Sequence, residues 1–141
     1  MKAPDIVRLA FAVIFLLGAV ANAAIGIFAP STYETFADAS ILPFYQQLWN
    51  GLVYPQMRLF LLPVVILELT MAWLLVSSGV RARIGLLLAL GFVLGLVPFW
   101  WQGGALINLL LALPLLWLLR YEYPRSIPEL IRDGRSERQS R

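Results

Sequence analysis

The sequence contains neither cysteine nor histidine, and these two absences remove several classes of chemistry. Without cysteine there is no disulfide, no thiol redox centre and no ligand for an iron–sulfur cluster. Without either residue the chain cannot hold haem through an axial His or Cys, or zinc at a site built on His. We therefore expect no metal site and no cofactor bound covalently or through His or Cys.

Charged residues are also scarce, at 13% of the chain against 60% hydrophobic residues, and the mean hydropathy is +0.78. Soluble domains carry about 25% charged residues, so this chain is expected to have lipid as its solvent. The net charge of +3 comes mostly from the C-terminal tail. It suits the cytoplasmic face of a membrane better than nucleic acid, which we do not expect as a partner.

Apolar stretches predict an all-α fold, namely a polytopic membrane four-helix bundle in residues 1–120. A span needs about 20 apolar residues, and the fourth stretch is short, which tilt or local thinning of the bilayer accommodates. A signal peptide is the rival interpretation of the first stretch, but its apolar region is usually about 7–15 residues, so we expect an uncleaved span. The predicted spans cover about residues 9–29, 59–77, 84–100 and 105–119.

The long polar and aromatic connection over residues 31–56 predicts external interfacial helices. Ser31 and Glu34 have the spacing of a capping box, which predicts a short helix over residues 32–39. Pro43 predicts the start of a second short helix. Two interpretations stay open: helices that lie over the mouth of the bundle, or a loop that packs on lipid headgroups without a role in a site.

Basic residues predict the orientation of the chain. On the side of the first external connection Arg58 is the only cation, whereas the other side collects Lys2, Arg8, Arg81, Arg83, Arg120 and the arginines of the tail. The positive-inside rule then places both termini in the cytoplasm, in a multi-pass protein of the plasma membrane, here a bacterial inner membrane. Residues 121–141 are expected to form a basic cytoplasmic tail, with a brief helical turn at 129–132 and disorder beyond it.

Gly91 and Gly95 form a small-xxx-small pair in the third span, which allows helices to approach closely. Close packing within the monomer is favoured over a dimerisation face.

Glu68 is the only ionisable residue within the apolar run of residues 59–76. It lies about 15 Å below the outer end of its helix, at a rise of about 1.5 Å per residue. A charge at that depth costs several kcal/mol, so this carboxyl needs a partner, a proton or water. We expect a neutral acid that donates a hydrogen bond to Asn22 or Asn108, or a water-mediated network, rather than an ion pair with Arg58 across a bend at Pro63.

The other embedded polar groups fall in the outer half of the predicted bundle, which predicts a polar pocket that opens outward. Two interpretations stay open for this set: hydrogen bonds that join helices, or a binding or proton site. The aromatic turn that contains Trp100 and Trp101 supplies a rim. The candidate ligand-binding or proton-site residues are Glu68, Asn22, Asn108, Arg58, Trp101 and Gln102.

Over residues 8–120 the chain resembles the DoxX-like family of small four-span membrane proteins. The resemblance is carried by residues 22–26 (Asn-Ala-Ala-Ile-Gly), by the long external connection, by Glu68 in an apolar helix, and by the glycine and basic turn at residues 79–83. It implies an accessory membrane subunit that contacts quinone or lipid, because members are similar to the small subunit of a thiosulfate:quinone oxidoreductase. Of individual residues, it carries over Glu68 alone.

We therefore expect an accessory subunit or a lipid- or quinone-contacting module of a membrane complex, with a redox complex as the candidate that the resemblance implies. The expected partners are membrane lipid and a membrane protein or a second copy of the chain. The alternative is a proton-coupled carrier of small molecules that uses Glu68 as its proton site. Catalysis by the chain alone is not expected, because Glu68 has no second acid–base group and no nucleophile beside it, and no catalytic residue is assigned.

Overall fold

The computed structural model describes residues 1–38, 40–98 and 104–139, with the side chains of 137–139 left out. The described residues are predominantly helical and contain no strand, so the predicted all-α class is confirmed. The helices are α1 (Ala3–Phe28), α2 (Pro43–Leu48), α3 (Met57–Val76), α4 (Gly79–Leu96), α5 (Gly104–Leu118) and α6 (Ile127–Gln139).

Three helical stretches are long and apolar enough to cross a membrane: Ala3–Phe28, Pro43–Val76 and Gly79–Leu96. The second of them includes α2 and α3, because the chain stays helical between them through a π-helical stretch and a 3-10 turn. α5 is also apolar, but its 15 residues make it shorter than the others.

α1 begins six residues earlier than the predicted span. Pro4 lies in its first turn, where its missing N–H costs nothing. The Asp5 carboxylate accepts a hydrogen bond from the backbone N–H of Lys2 at 3.1 Å, which satisfies one of the free donors at the helix start. Polar residues therefore begin this helix, and its apolar part follows.

The long helices pack in chain order: α1 on α3, α3 on α4, and α4 on α5, with a smaller contact between α1 and α5. α1 and α3 run antiparallel, because Gly18 faces Glu68 while Gly26, two turns later, faces Leu61. All four contribute to one apolar core, which lies toward the end where α1 begins and α5 ends. The core includes Phe11, Phe15, Met71, Leu75, Leu86, Ala89, Leu115 and Leu118.

The turn between α3 and α4 depends on glycine at two positions. Gly79 has φ +59°, a left-handed conformation that glycine adopts without strain. At Gly85 a Cβ atom would lie 2.7 Å from Leu74 Cβ and 3.1 Å from backbone atoms of Leu74 and Leu75, so only glycine allows this approach. The tight turn fixes the register that brings the two helices together there.

The predicted packing role of Gly91 and Gly95 within the monomer is wrong for the described residues. Both glycines are exposed, and a Cβ atom added at either would meet no described atom within 4 Å. Among the described glycines of α4, the one that permits close packing on α3 is Gly85, because the α3–α4 turn directs that face inward.

The connection between α1 and α3 also differs from the prediction. Pro30–Tyr33 form a 3-10 helix without a side-chain cap, in place of a capped helix over residues 32–39, and Ala39 lies outside the described residues. Phe36 packs at 6.2 Å from the Tyr33 ring and at 4.8 Å from the Trp49 ring, measured between centroids. This aromatic packing folds the segment back on itself. The second short helix does begin at Pro43, as predicted.

The tail continues as a helix where disorder was expected. α6 extends through residue 139, and the Glu129 carboxylate at its start accepts a hydrogen bond from the Ser126 backbone N–H at 2.8 Å. This bond lowers the pKa of Glu129. An exposed ion pair of 3.1 Å joins Arg125 to Asp133 one turn further on. Capping and charge pairing extend the helix past the predicted turn.

Candidate functional site

Glu68 lies on the face of α3 that packs against α1, and only 5% of its surface is exposed. The side-chain amide of Asn22 donates a hydrogen bond from Nδ2 to Glu68 Oε2 at 2.8 Å. The pairing joins two of the candidate residues, but its direction is opposite to the prediction. Asn22 is the donor and Glu68 the acceptor.

The amide of Asn22 has a second partner, which orients it. The Tyr33 hydroxyl donates a hydrogen bond to Asn22 Oδ1, so the nitrogen of the amide is left facing Glu68. Trp49 in turn donates from Nε1 to the backbone carbonyl of Tyr33 at 3.0 Å. A continuous chain of hydrogen bonds therefore runs from the connection to the middle of α3, and we call Glu68, Asn22, Tyr33 and Trp49 the Glu68 network.

Burial and the nearby Glu68 carboxylate both raise the pKa of Tyr33, with burial the larger cause. Tyr33 therefore stays a neutral hydroxyl and remains a donor to Asn22 at physiological pH. The sequence offered no direct signal for Tyr33, because its position depends on how the connection folds back.

Gly18 provides the space for the Glu68 carboxylate on α1. A Cβ atom at this position would lie 2.6 Å from Glu68 Oε1 and 3.3 Å from its Cδ. Gly18 and Asn22 are four residues apart on one face of α1, so the helix presents an open position and an amide to the same carboxyl. The sequence signal for this pair is a glycine one turn before the only asparagine of α1.

The structure does not bring the other candidates to Glu68. Asn108 is buried on α5 but makes no side-chain hydrogen bond with any described residue. Arg58 is exposed in the first turn of α3 and makes no ion pair with Glu68, and α3 stays helical through Pro63. Trp101 and Gln102, with Trp100, lie outside the described residues.

A narrow groove of about 230 Å³ runs between α1 and α3 beside the Glu68 network. Asn22 and Arg58 are its polar residues, and they lie at different depths along α1 and α3. Glu68 does not line it. The other lining residues make the groove apolar. They are Ala23, Gly26, Ile27, Leu61, Leu62 and Val65.

A second, wider cavity of about 670 Å³ lies where α3 begins. Its lining is more polar, since the connection contributes Ser31, Tyr54 and Gln56. Arg58 lines both cavities, and no other described residue does so. Arg58 therefore borders both the apolar groove and the larger, less apolar cavity.

Arg8 forms a second buried polar cluster, at the opposite end of the molecule, which sequence reasoning missed. The side chain is fully buried. Its guanidinium donates to the backbone carbonyl of Ser77 at 3.0 Å and to that of Arg125 at 3.3 Å, and lies 4.2 Å from the centre of the Tyr123 ring. The nearest Asp5 carboxylate oxygen is 3.7 Å away. This cluster ties α1 to the end of α3 and to the chain that follows α5.

Tyr123 completes that cluster. Its hydroxyl donates to the Leu118 carbonyl at 2.7 Å, and its own carbonyl accepts from the Gly79 N–H at 2.7 Å. Burial raises the pKa of Tyr123 to about 12. A signal for Arg8 was available, because it shares a helical face with Phe11 and Phe15 and therefore points toward the core.

The chemistry open to these groups is limited. Among the described residues no group of three or more His, Cys, Asp or Glu side chains is placed to hold a metal ion. The bonded partner of Glu68 is an amide, which neither accepts nor releases a proton readily, so the pair does not form an acid–base couple. The arrangement is suited to hold helices together and to present a polar edge to an apolar groove.

No protein-family model matches the chain, and neither a curated protein nor a solved structure matches it.

Proposed function

We propose that the protein is a four-span protein of the bacterial plasma membrane with both termini in the cytoplasm. Three helices of sufficient length and apolarity support this topology, and α5 serves as the fourth span. A helix of 15 residues rises about 22 Å, which a locally thinned bilayer accommodates. In this orientation Arg81, Arg83 and Arg120 lie on the cytoplasmic side, and the connection with α2 lies at the outer interface.

Within the membrane the protein acts as an accessory, non-catalytic module that holds the tail of a lipid or a quinone. The observation that carries this proposal is the apolar groove between α1 and α3, which has one amide, that of Asn22, beside its apolar lining. Ligand sites typically combine apolar walls with a few fixed polar groups that set orientation. Asn22 is fixed, because both ends of its amide are hydrogen-bonded.

The Glu68 network keeps the groove in shape. Hydrogen bonds between helices in membranes are worth about 0.6–1.7 kcal/mol each, so the Asn22–Glu68 bond alone does not hold α1 on α3. Its role is to fix the rotation and depth of the two helices at the level of the groove. The resemblance to the DoxX-like family adds to this proposal an accessory role beside a membrane redox complex and a membrane-protein partner.

A proton-coupled carrier is the second candidate. The buried carboxyl of Glu68 favours it, because an ionisable group inside an apolar helix bundle is a typical proton site. Against it stands the tight enclosure of Glu68 between Gly18 and Asn22. If this candidate were correct, Glu68→Gln would abolish proton-coupled uptake in vesicles, whereas an accessory module would show no such coupling in the wild type either.

The proposed groove is tested by filling it. Ala23→Leu places a larger side chain in the groove, whereas Ala24→Leu adds the same atoms at an exposed position outside it. We expect protein purified in mild detergent to retain lipid or quinone, and Ala23→Leu to lose most of it while Ala24→Leu does not. Native mass spectrometry and solvent extraction measure the bound molecules. Equal retention by both variants would refute the groove as the binding site.

A further inference from the structure

Arg58 is a cation that lines two cavities and has no partner among the described residues. It makes no ion pair and no side-chain hydrogen bond with any described residue, although the guanidinium has five donors to satisfy. It lines both the narrow apolar groove and the wider polar cavity. A ligand that occupied both spaces would lie beside Arg58.

We propose that Arg58 binds the phosphate of a phospholipid whose acyl chain lies in the groove between α1 and α3. This inference rests on the proposed function, and it adds the chemical class of the ligand and the residue that recognises it.

The shape of the two cavities matches the two parts of such a lipid. The groove of about 230 Å³ is almost wholly apolar, as a hydrocarbon chain requires. The outer cavity of about 670 Å³ is wider and carries the hydroxyl groups of Ser31 and Tyr54 and the amide of Gln56. A headgroup fits there because it brings polar atoms that Ser31, Gln56 and Arg58 can bond. The Tyr54 hydroxyl, in contrast, already faces the Glu34 carboxylate.

Charge also favours a phosphate over a neutral headgroup. The planar guanidinium of arginine matches phosphate oxygens with two parallel hydrogen bonds. In the proposed topology Arg58 lies in the first turn of α3, at the level where the phosphates of the outer leaflet are found. A quinone has no anionic group, so its carbonyl oxygens could accept hydrogen bonds from Arg58 but would not neutralise its charge.

The test compares two soluble ligands that share their tails. Dioctanoyl phosphatidylglycerol carries the phosphate and dioctanoylglycerol lacks it, and both are titrated against the detergent-solubilised full chain by intrinsic tryptophan fluorescence. We expect the wild type to bind the phosphate-bearing lipid at least about tenfold more tightly, a difference of about 1.4 kcal/mol. Arg58→Gln should remove this preference, Arg58→Lys should keep part of it, and Arg120→Gln, an exposed arginine outside both cavities, should keep all of it.

Two further arms separate the possible failures. Ala23→Leu should weaken both ligands equally, because it blocks the tail. If Ala23→Leu weakens both ligands while Arg58→Gln leaves the preference unchanged, the phosphate inference is wrong and the groove proposal stands. If neither variant alters binding, both are wrong. Inorganic phosphate at the same concentration should not displace the lipid, and displacement would identify a free-anion site instead of a lipid site.

Discussion

Replacing Gly18 by alanine tests the packing of the buried carboxyl directly. The new Cβ would lie 2.6 Å from Glu68 Oε1, which is closer than such atoms approach, so the carboxylate must move. Movement stretches or breaks its 2.8 Å bond to Asn22. We expect Gly18→Ala to lower the free energy of unfolding even though alanine is the better helix former.

The magnitude follows from three terms. Overpacking costs about 1–3 kcal/mol, and the weakened hydrogen bond between helices costs up to about 1.7 kcal/mol. Alanine in place of glycine returns about 1 kcal/mol of helix propensity. With that hydrogen bond worth between its average of about 0.6 kcal/mol and its maximum of about 1.7 kcal/mol, the net expected loss is about 0.6–3.7 kcal/mol.

A double-mutant cycle isolates the cause. In a Glu68→Ala background the carboxylate is gone, so Gly18→Ala should be neutral or stabilising, which gives a coupling energy of about 2 kcal/mol between the two positions. Gly91→Ala is the matched control, since a Cβ there meets no described atom within 4 Å. Unfolding in mixed micelles with increasing SDS, followed by circular dichroism, measures each variant.

The proposed arrangement of α1 and α3 would be refuted if Gly18→Ala were as stable as the wild type. It would also be refuted if the substitution cost the same with and without the Glu68 carboxylate, because the strain would then have another source.

Two other predictions concern the Arg8 cluster. Arg8→Met leaves the carbonyls of Ser77 and Arg125 without their charged donor, and bonds of this kind are worth about 1.5–3 kcal/mol each, partly offset because a buried guanidinium no longer has to be desolvated. We expect a loss of about 2–4 kcal/mol in the same SDS titration, against about 0.5 kcal/mol or less for Arg120→Met at an exposed position; equal losses would contradict the assigned role. The raised pKa of Tyr123 predicts that the protein loses stability at alkaline pH. The unfolded chain ionises this tyrosine near its ordinary pKa of 10.0, whereas the folded chain holds the proton up to about pH 12. The free energy of unfolding is therefore constant below pH 10.0 and falls as the pH rises toward about 12. Thermal unfolding measured between pH 9 and pH 12, values chosen to bracket that transition, should show this decline in the wild type and a smaller one in Tyr123→Phe, and parallel curves would count against it.

The pairing of α1 with α3 was accessible from the sequence because polar residues are so rare in the apolar stretches. Asn22 and Glu68 each lie on an apolar helix with few other polar residues, and polar groups in that setting usually pair with one another. The direction of the hydrogen bond between Asn22 and Glu68, and the part that Tyr33 takes in it, could not be predicted from the sequence. The amide orientation depends on Tyr33, whose position follows from aromatic packing with Phe36 and Trp49 in a connection that has little regular periodicity.

Arg8 and Gly85 show why counting residue types is insufficient. The positive-inside rule counts Arg8 as one more flanking cation, although its spacing from Phe11 and Phe15 places its side chain on the face that packs into the core. The small-xxx-small pattern pointed to Gly91 and not to Gly85, because the pattern depends only on spacing along one helix. The face of α4 that meets α3 is instead fixed by the turn at Gly79. In both cases the rotation of the helix about its own axis decides whether the residue faces the core, and counts of residue types do not give that rotation.

A structure of the full chain determined in lipid nanodiscs that contain phosphatidylglycerol would test the proposed site most directly. We expect elongated density in the groove between α1 and α3, beside Asn22, with a headgroup against Arg58. A groove closed by protein side chains, with lipid ordered elsewhere on the surface, would contradict the proposed function.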